Sequence, residues 1–315
     1  MAARPIRFGA QTGPQNCSWE ELLGLWEEFE ALGFDTAWTF DHFIPIFADP
    51  DGPCFEGWIT LAALAARTQR LRLGTLVTGN TYRNPALLAK MAATLDHVSG
   101  GRLEFGIGAA WFELEHAAYN APFPPIGARM DMLDESLRII RAMWTEKAPS
   151  FKGKHYSITE ARCEPKPLQK PHPPVLIGGG GEKRTLRLVA RHAQIWNGFG
   201  SPEIFKHKIG VLAEHCRTEG TDIDAIEKSV VLPVLVTDDP KRAERLVASV
   251  ARGQGLSEDE ARAQVLAGTP DEVSDQVQSY IDVGVTHFIA MMFAPFARQM
   301  EGVRLFAKEV IPRFR

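Results

Sequence analysis

The stretch Arg72-Leu-Gly-Thr-Leu-Val-Thr-Gly-Asn-Thr-Tyr-Arg-Asn-Pro85 continues through Ala86-Leu-Leu-Ala-Lys-Met-Ala-Ala-Thr-Leu-Asp-His-Val98 to Ser99-Gly-Gly-Arg-Leu-Glu-Phe-Gly-Ile107. An apolar segment, Arg72–Val77, runs into a polar loop. Asn84 then stands as the cap of a helix with Pro85 in its first turn, and Gly100-Gly101 closes that helix. Leu103–Ile107 is the next apolar segment. This is one strand–helix–strand unit. Its strands do not alternate strictly, which suits strands covered on both faces.

The same unit recurs on either side. Ile6–Ala10 and Phe34–Phe40 read as the first two strands, separated by a helix from Ser18 to Gly33 that opens on the capping-box pattern Ser18-x-x-Glu21. Glu56–Arg67 is the second helix. Beyond strand four come a helix at Arg129–Thr145 and a strand at Val175–Ile177. A helix over Glu182–Arg191, a short strand at Gln194–Trp196 and a helix over Pro202–Arg217 follow. Ser229–Val236 is strand seven, with helices over Pro240–Val250, Glu258–Ala267 and from Pro270. Thr286–Met291 is strand eight, and Pro295–Val310 the closing helix. Eight strands each followed by helix predict an α/β fold of the (β/α)8 TIM-barrel type. Two stretches interrupt the alternation as insertion loops: Trp111–Ala128, and the Pro- and Lys-rich Ser150–Pro174, the latter open to forming a small hairpin.

Composition agrees. The chain has 315 residues, 45% hydrophobic and 23% charged, with 21 prolines, 27 glycines and a formal net charge of −4. Length alone allows about two domains or one α/β barrel. No composition break marks a linker, so a single domain over residues 1–315 is expected. Such a chain buries roughly three quarters of its unfolded surface and needs no disulfide or metal staple. The near balance of 35 basic and 39 acidic residues offers no footprint for nucleic acid or for an anionic membrane surface. No run approaches the roughly 18 apolar residues of a membrane span, and the start lacks a signal-peptide pattern. Cys17, Cys54, Cys163 and Cys216 are scattered as reduced thiols would be. A cytoplasmic location is expected.

In a barrel enzyme the chemistry sits at the C-terminal ends of the strands. After strand two come Asp41 and His42, either a proton donor with its orienter or a polar pair capping the rim. After strand three come Val77, Thr78, Gly79 and Asn80, where small polar residues and a glycine let backbone approach a planar ligand, or simply lead into a helix cap. Gly108, Ala109 and Ala110 after strand four are a small-residue run that serves either a ligand or close helix–strand packing. After strand five, Gly178, Gly179, Gly180 and Gly181 lead into a helix, an arrangement suited to a phosphate. No paired His/Cys spacing predicts a metal, and no GxSxG elbow predicts a hydrolase. Met291-Met-Phe293 reads as core or as an apolar pocket wall. The alanine-rich faces Leu61–Ala66 and Leu87–Ala93 suit core packing or a homodimer interface.

The segments Asp41-His-Phe43, Leu73-Gly-Thr-Leu-Val-Thr-Gly-Asn-Thr-Tyr-Arg83, Leu95-Asp-His-Val-Ser-Gly-Gly-Arg102 and the glycine run resemble the luciferase-like monooxygenase superfamily. More narrowly, the chain resembles its coenzyme F420-dependent oxidoreductase branch. The resemblance implies a barrel with F420 across its C-terminal mouth, FMN being the alternative cofactor. It also implies a non-prolyl cis peptide at Leu76–Val77 or one residue beyond, forming a bulge behind the cofactor ring. Asp41 and His42 would lie beside the reactive carbon, with His42 held by Asp41 and passing the proton that accompanies the hydride. Gly108, Ala109 and Ala110 would lie near the ring or its side chain, and Gly178–Gly181 would take the phosphate. The partner is then a small organic substrate, met by Trp111, Phe112, the Phe123-Pro-Pro loop and Met291–Phe293. Sugar-phosphate dehydrogenases of this branch carry a glutamate at the position of Trp111; here the acids are displaced to Glu113 and Glu115, which argues against glucose-6-phosphate. The alternative activities are an FMN-dependent monooxygenase and a non-catalytic flavin-binding protein.

Overall fold

The computed structural model describes residues 4–292 and 294–315. Eight parallel staves form the barrel, labelled β1–β8 here: Arg7–Thr12, Thr36–Thr39, Arg72–Thr75, Phe105–Gly108, Val175–Gly178, Ile195–Gly198, Glu227–Val236 and His287–Met292. β1 pairs with β2 and with β8 in parallel register, Ala10 lying opposite Ala37 and Ala290. β3 pairs with β2 through Arg72–Thr75, then resumes as Thr78–Gly79, which pairs with β4 through Thr78 and Ile107. The Leu76–Val77 peptide between the halves is cis. A bridge from Leu73 to Leu103 helps to close the ring below the break.

The helices begin and end where local chemistry dictates. α1 (Trp19–Ala31) has the Ser18/Glu21 capping box. α2 (Gly57–Arg67) is capped by the Glu56 carboxylate, which accepts from the Ile59 amide at 2.6 Å. In α3 (Pro85–Val98), Asn84 accepts from Ala86 N at 2.9 Å and Pro85 fills the first turn. The Trp111–Ala128 insertion contains a short helix, α4 (Glu113–Ala118), and leads to α5 (Ile126–Thr145), which starts three residues before Arg129. The second insertion carries a two-stranded antiparallel hairpin, Phe151–Lys152 with Ser157–Ile158. α6 (Thr185–His192) starts after a turn at 182–184 rather than at Glu182. α7 (Pro202–Glu219) and α8 (Pro240–Gln254) both open on a capped proline and end on a left-handed glycine, Gly220 and Gly255.

One sequence expectation fails here. Helix over Glu258–Ala267 stops at α9 (Glu258–Arg262), and Leu266–Gly268 becomes a strand. The long β7 overshoots the barrel, and Val234–Val236 offers Leu266–Gly268 a parallel edge. Pairing an exposed edge outweighs the helix preference of alanine. The remaining helices are α10 (Pro270–Asp282) and α11 (Ala297–Leu305), the latter continuing as a π-helical turn over Phe306–Val310.

Inside the barrel, Trp38, Leu176, Ile195, Val231 and Ile289 form a buried apolar layer. Below it Arg7 bridges two buried carboxylates, Glu104 at 2.7 Å and Glu227 at 2.9 Å. The segment Leu95–Arg102 is explained by framework. Asp96 holds Gln169 through its backbone amide and its side chain. Arg102 donates to the carbonyls of Ala65, Thr68, Leu71 and Ser99, so its cation caps the C-terminal end of α2. Arg102→Ala is therefore expected to lower the unfolding free energy by about 2–3 kcal/mol, the range for charged hydrogen bonds lost in a half-buried place. Urea denaturation checks this, and an unshifted midpoint would remove Arg102 from the frame.

Candidate active site at the mouth of the barrel

A cavity of about 620 Å³ opens at the C-terminal ends of the strands. Of the residues expected there, Asp41, His42, Leu76, Val77, Gly108, Ala109, Ala110, Gly178 and Gly179 line it. Thr78, Asn80, Gly180 and Gly181 do not. Thr78 is fully buried behind the wall, and Asn80 is buried with its amide donating to Gly108 O at 3.0 Å. Trp111 and Met291 also line the cavity, whereas Phe112 packs on Trp111 at 5.1 Å, and Phe123 packs on His116 at 4.6 Å. Phe293 lies outside the described residues.

The back wall is built by the interruption of β3. Gln11 Nε2 donates to Leu76 O at 3.0 Å, and Leu76 N donates to Thr39 O at 2.7 Å, so the bulge is pinned to two other strands. Val77 fills space that β4 and β5 leave for it: a Cβ at Gly108 would lie 2.9 Å from a Val77 methyl, and one at Gly178 3.0 Å from another. Glycine at both positions is thus a packing requirement of the bulge. Beside it, Ala110 sits in the left-handed region at φ 61°. Its carbonyl is clamped by the Arg129 guanidinium at 2.5 Å, which also reaches Ala109 O at 3.3 Å. The result is a smooth wall of small residues.

The two residues after β2 do not act on each other. Asp41 is fully buried and takes a two-point ion pair from Arg83, at 2.5 and 3.0 Å, together with the Thr78 hydroxyl. Arg83 in turn contacts Glu56, the cap of α2. His42 instead places Nδ1 2.8 Å from Glu115 of α4. Glu115 is fully buried and also accepts from Phe43 N at 2.8 Å and from the Tyr82 hydroxyl. The expectation that Asp41 holds His42 is corrected: the holder is Glu115. The reason is geometric, since successive residues leaving a strand point to opposite sides.

Burial alone would raise the Glu115 carboxyl, but the hydrogen bond and charge of His42, then Tyr82 and the Phe43 amide, outweigh it and bring it below the ordinary 4.5. Burial, and then Glu115 itself, push the Tyr82 hydroxyl well above its ordinary value, so it stays a donor. An ionised Glu115 only accepts, so His42 donates from Nδ1. Nε2 has no partner among the described residues and is left for the cavity. Trp111 and Phe40 meet the imidazole edge-on, at 5.6 and 5.0 Å.

At the other end of the cavity the glycine run leaves β5. Gly179 lies at φ 117°, its amide donating to Asn197 O at 3.0 Å and its carbonyl accepting from Trp196 Nε1 at 2.8 Å. A Cβ at Gly180 would stand 2.2 Å from Lys208 Nζ, so that ammonium lies close over the loop. α6 follows without a side-chain cap, and Thr185 at its start lines the cavity. A bare helix N-terminus, glycine backbone and a lysine together suit an anion. The run follows the fifth strand, as the sequence count has it.

Sequence reasoning missed Tyr82, Arg83 and Glu56 as partners, and named Glu115 only as an acid displaced from its expected position. The signal available was that Glu115 is an acid inside an insertion at a strand end. Among the described residues no group of three His, Cys, Asp or Glu side chains could hold a metal, and no helix is long and apolar enough to cross a membrane.

A closed parallel barrel whose mouth carries a wall of small residues, a histidine and a glycine run defines the class as a TIM barrel with its candidate site at the C-terminal ends of the strands. Residues 3–287 match the luciferase-like monooxygenase family, and the chain belongs to that family. It is 27% identical to the F420-dependent glucose-6-phosphate dehydrogenase of Kineococcus radiotolerans, over 99% of this chain and 98% of that one. Two solved structures share the fold. An F420-dependent secondary alcohol dehydrogenase in complex with an F420-acetone adduct superposes with a TM-score of 0.86 at 22% identity, covering 99% of this chain and 100% of that one. A monooxygenase from Streptomyces bottropensis gives 0.81 at 24% identity, covering 98% and 100%.

Glu115→Gln keeps the shape of the side chain and removes its charge. Because the folded carboxyl titrates below its unfolded value, its contribution is present above about pH 4.5 and lost as pH falls through the folded value. The stability gap between wild type and Glu115→Gln is expected to widen from acid to neutral pH. Urea titrations along that range measure it, and a flat difference would remove the charged Glu115–His42 contact.

Proposed function

We propose that this chain is an oxidoreductase that transfers a hydride between coenzyme F420 and a small organic substrate. The observation that carries it is one cavity that joins the bulge-backed wall of small residues, the start of the glycine run at Gly178 and Gly179, and the inward-facing His42. The residues fit the coenzyme. Leu76, Val77, Gly108, Ala109 and Ala110 would back its ring, and Gly178–Gly181 with Lys208 would hold its phosphate. When bound, F420 supplies a ring carbon that gives or takes the hydride. His42, fixed by Glu115, presents Nε2 to give or take the accompanying proton. Phe47 and Trp111, stacked at 5.8 Å, stand on the lining of the same cavity.

The same cavity supports a substrate with an apolar surface. No lysine or arginine among the described residues lines it, and Phe40, Ile46, Phe47, Trp111, Ile126 and Phe199 do. A sugar phosphate would bring a dianion to a place without a cation, at a large desolvation cost. The substrate of the Kineococcus relative is therefore not carried over. A cytoplasmic location and a homodimer complete the proposal, the latter supported by Ile59, Leu87 and Val98, which stand exposed on α2 and α3.

Fluorescence titration with F420 and with FMN tests the cofactor. F420 is expected to bind with quenching and FMN weakly; binding of FMN alone would overturn the reading and leave the monooxygenase alternative. His42→Ala is expected to slow turnover about a hundredfold or more while cofactor affinity stays nearly constant. Unchanged turnover would take His42 out of the chemistry.

A further inference from the structure

Tyr82, on the loop after β3, donates its hydroxyl to Glu115 Oε1. That is the oxygen that His42 Nδ1 meets at 2.8 Å, whereas Phe43 N takes Oε2, also at 2.8 Å. Two donors therefore share one oxygen of a carboxylate that is fully buried. Among the described residues these three contacts stand in for its hydration. The phenol ring is held as firmly as the hydroxyl. It stacks on His116 at 4.6 Å and lies 4.9 Å from Phe43. His116 is itself fixed, with Nε2 2.7 Å from the Thr81 hydroxyl and Nδ1 2.7 Å from Phe112 O. A Cβ at Gly79 would lie 2.7 Å from the Tyr82 ring, and Gly79 belongs to the part of β3 that resumes after the bulge. Tyr82 thus ties the wall of the cavity to α4, the helix that carries Glu115.

A hydroxyl on Oε1 has a consequence for the imidazole beside it. Glu115 as an anion only accepts, so the ring proton sits on Nδ1 and Nε2 stays open. A Glu115 that took up a proton would donate to Nδ1, and the ring proton would move to Nε2, facing the cavity. Burial favours that uptake; His42 opposes it most and Tyr82 next, since a donor on Oε1 stabilises the charged carboxylate. The other groups nearby are engaged elsewhere. Arg83 is spent on Asp41 and Glu56, and the Cys54 thiol is turned to His42 O at 3.7 Å. Burial, and then Glu115, push that thiol up to about 12, so it brings no charge to the pair. We propose that Tyr82 is a positioning residue: by sharing Oε1 with His42, its hydroxyl keeps Glu115 an anion and leaves Nε2 of His42 open to accept a proton. The proposal rests on the reading of His42 as the proton-transfer group and extends that group to the loop after β3.

The test follows the His42–Glu115 pair by NMR in the full chain with 15N-labelled histidine, the His42 signals being assigned by their loss in His42→Ala. The ring-nitrogen signals are read against pH and need neither cofactor nor substrate. Tyr82→Phe keeps the ring and its stacking and removes only the hydroxyl. In this variant the pair is expected to take up a proton at a pH about one unit higher than in the wild type, the scale of one charge-assisted hydrogen bond. An unmoved or lowered midpoint overturns the proposal. In a Glu115→Gln background, Tyr82→Phe is expected to leave the midpoint where it is. The same upward shift there would mean that the hydroxyl does not act through the carboxylate, and overturns the proposal as well. Thr81→Val loosens His116 behind the ring without touching the hydroxyl, and is expected to move nothing. A shift as large as that of Tyr82→Phe would assign the effect to packing and sink the idea. The F420 reading stands or falls separately, on the cofactor titration and on turnover of His42→Ala.

Discussion

The barrel closes across a strand that is broken in the middle, and the fit of Val77 into β4 and β5 lets it do so. Below the break β3 pairs with β2, and above it with β4. The two residues between would leave a gap in the wall if nothing filled it. Val77 fills it because Gly108 and Gly178 have no side chains to compete. That packing links three consecutive staves at the level where strands end and site begins. It also fixes the height of the cavity floor, since Leu76 and Val77 belong both to the apolar layer inside the barrel and to the lining of the mouth.

Around this floor, two buried carboxylates divide the work. Asp41 is paired with Arg83, which ties it to the cap of α2, so the loop after β2 is anchored to the helix that follows it. Glu115 faces inward and fixes His42. Each would be costly to bury alone, and each is compensated by a cation or by several donors. Exchange of partners is barred by direction, because residues 41 and 42 leave the strand on opposite sides. One charge therefore stabilises the frame and the other holds His42.

The sequence made much of this legible. Caps such as Ser18 with Glu21 and Asn84 with Pro85 place helix starts to within a residue, because the signals are local. The glycine run and the polar loop after β3 are equally local, and both fall at strand ends. What could not be read is what depends on distant partners. Leu266–Gly268 looks helical until the free edge of Val234–Val236 is present beside it. Glu115 lies 73 residues from His42, on a helix inside an insertion, and no spacing rule joins them. Asp41 and His42 misled because adjacency in sequence is not contact in an extended chain.

Charge placement ties the site to the net charge of −4. The cavity mouth itself holds no lysine or arginine among the described residues, while cations gather beside it on α5, the 151–158 hairpin, the turn before α6 and α6 itself. A uniform positive field would attract any anion to the reacting end and would hold a charged substrate against apolar walls that cannot solvate it. Confining cations to one end gives a phosphorylated ligand only one favourable orientation, its anionic end outward on the glycine loop and its neutral part on the wall of Gly108–Ala110. On the proposed reading, orientation would be set before any contact with His42. On that reading local charge asymmetry, and not the bulk charge, would decide how the ligand enters.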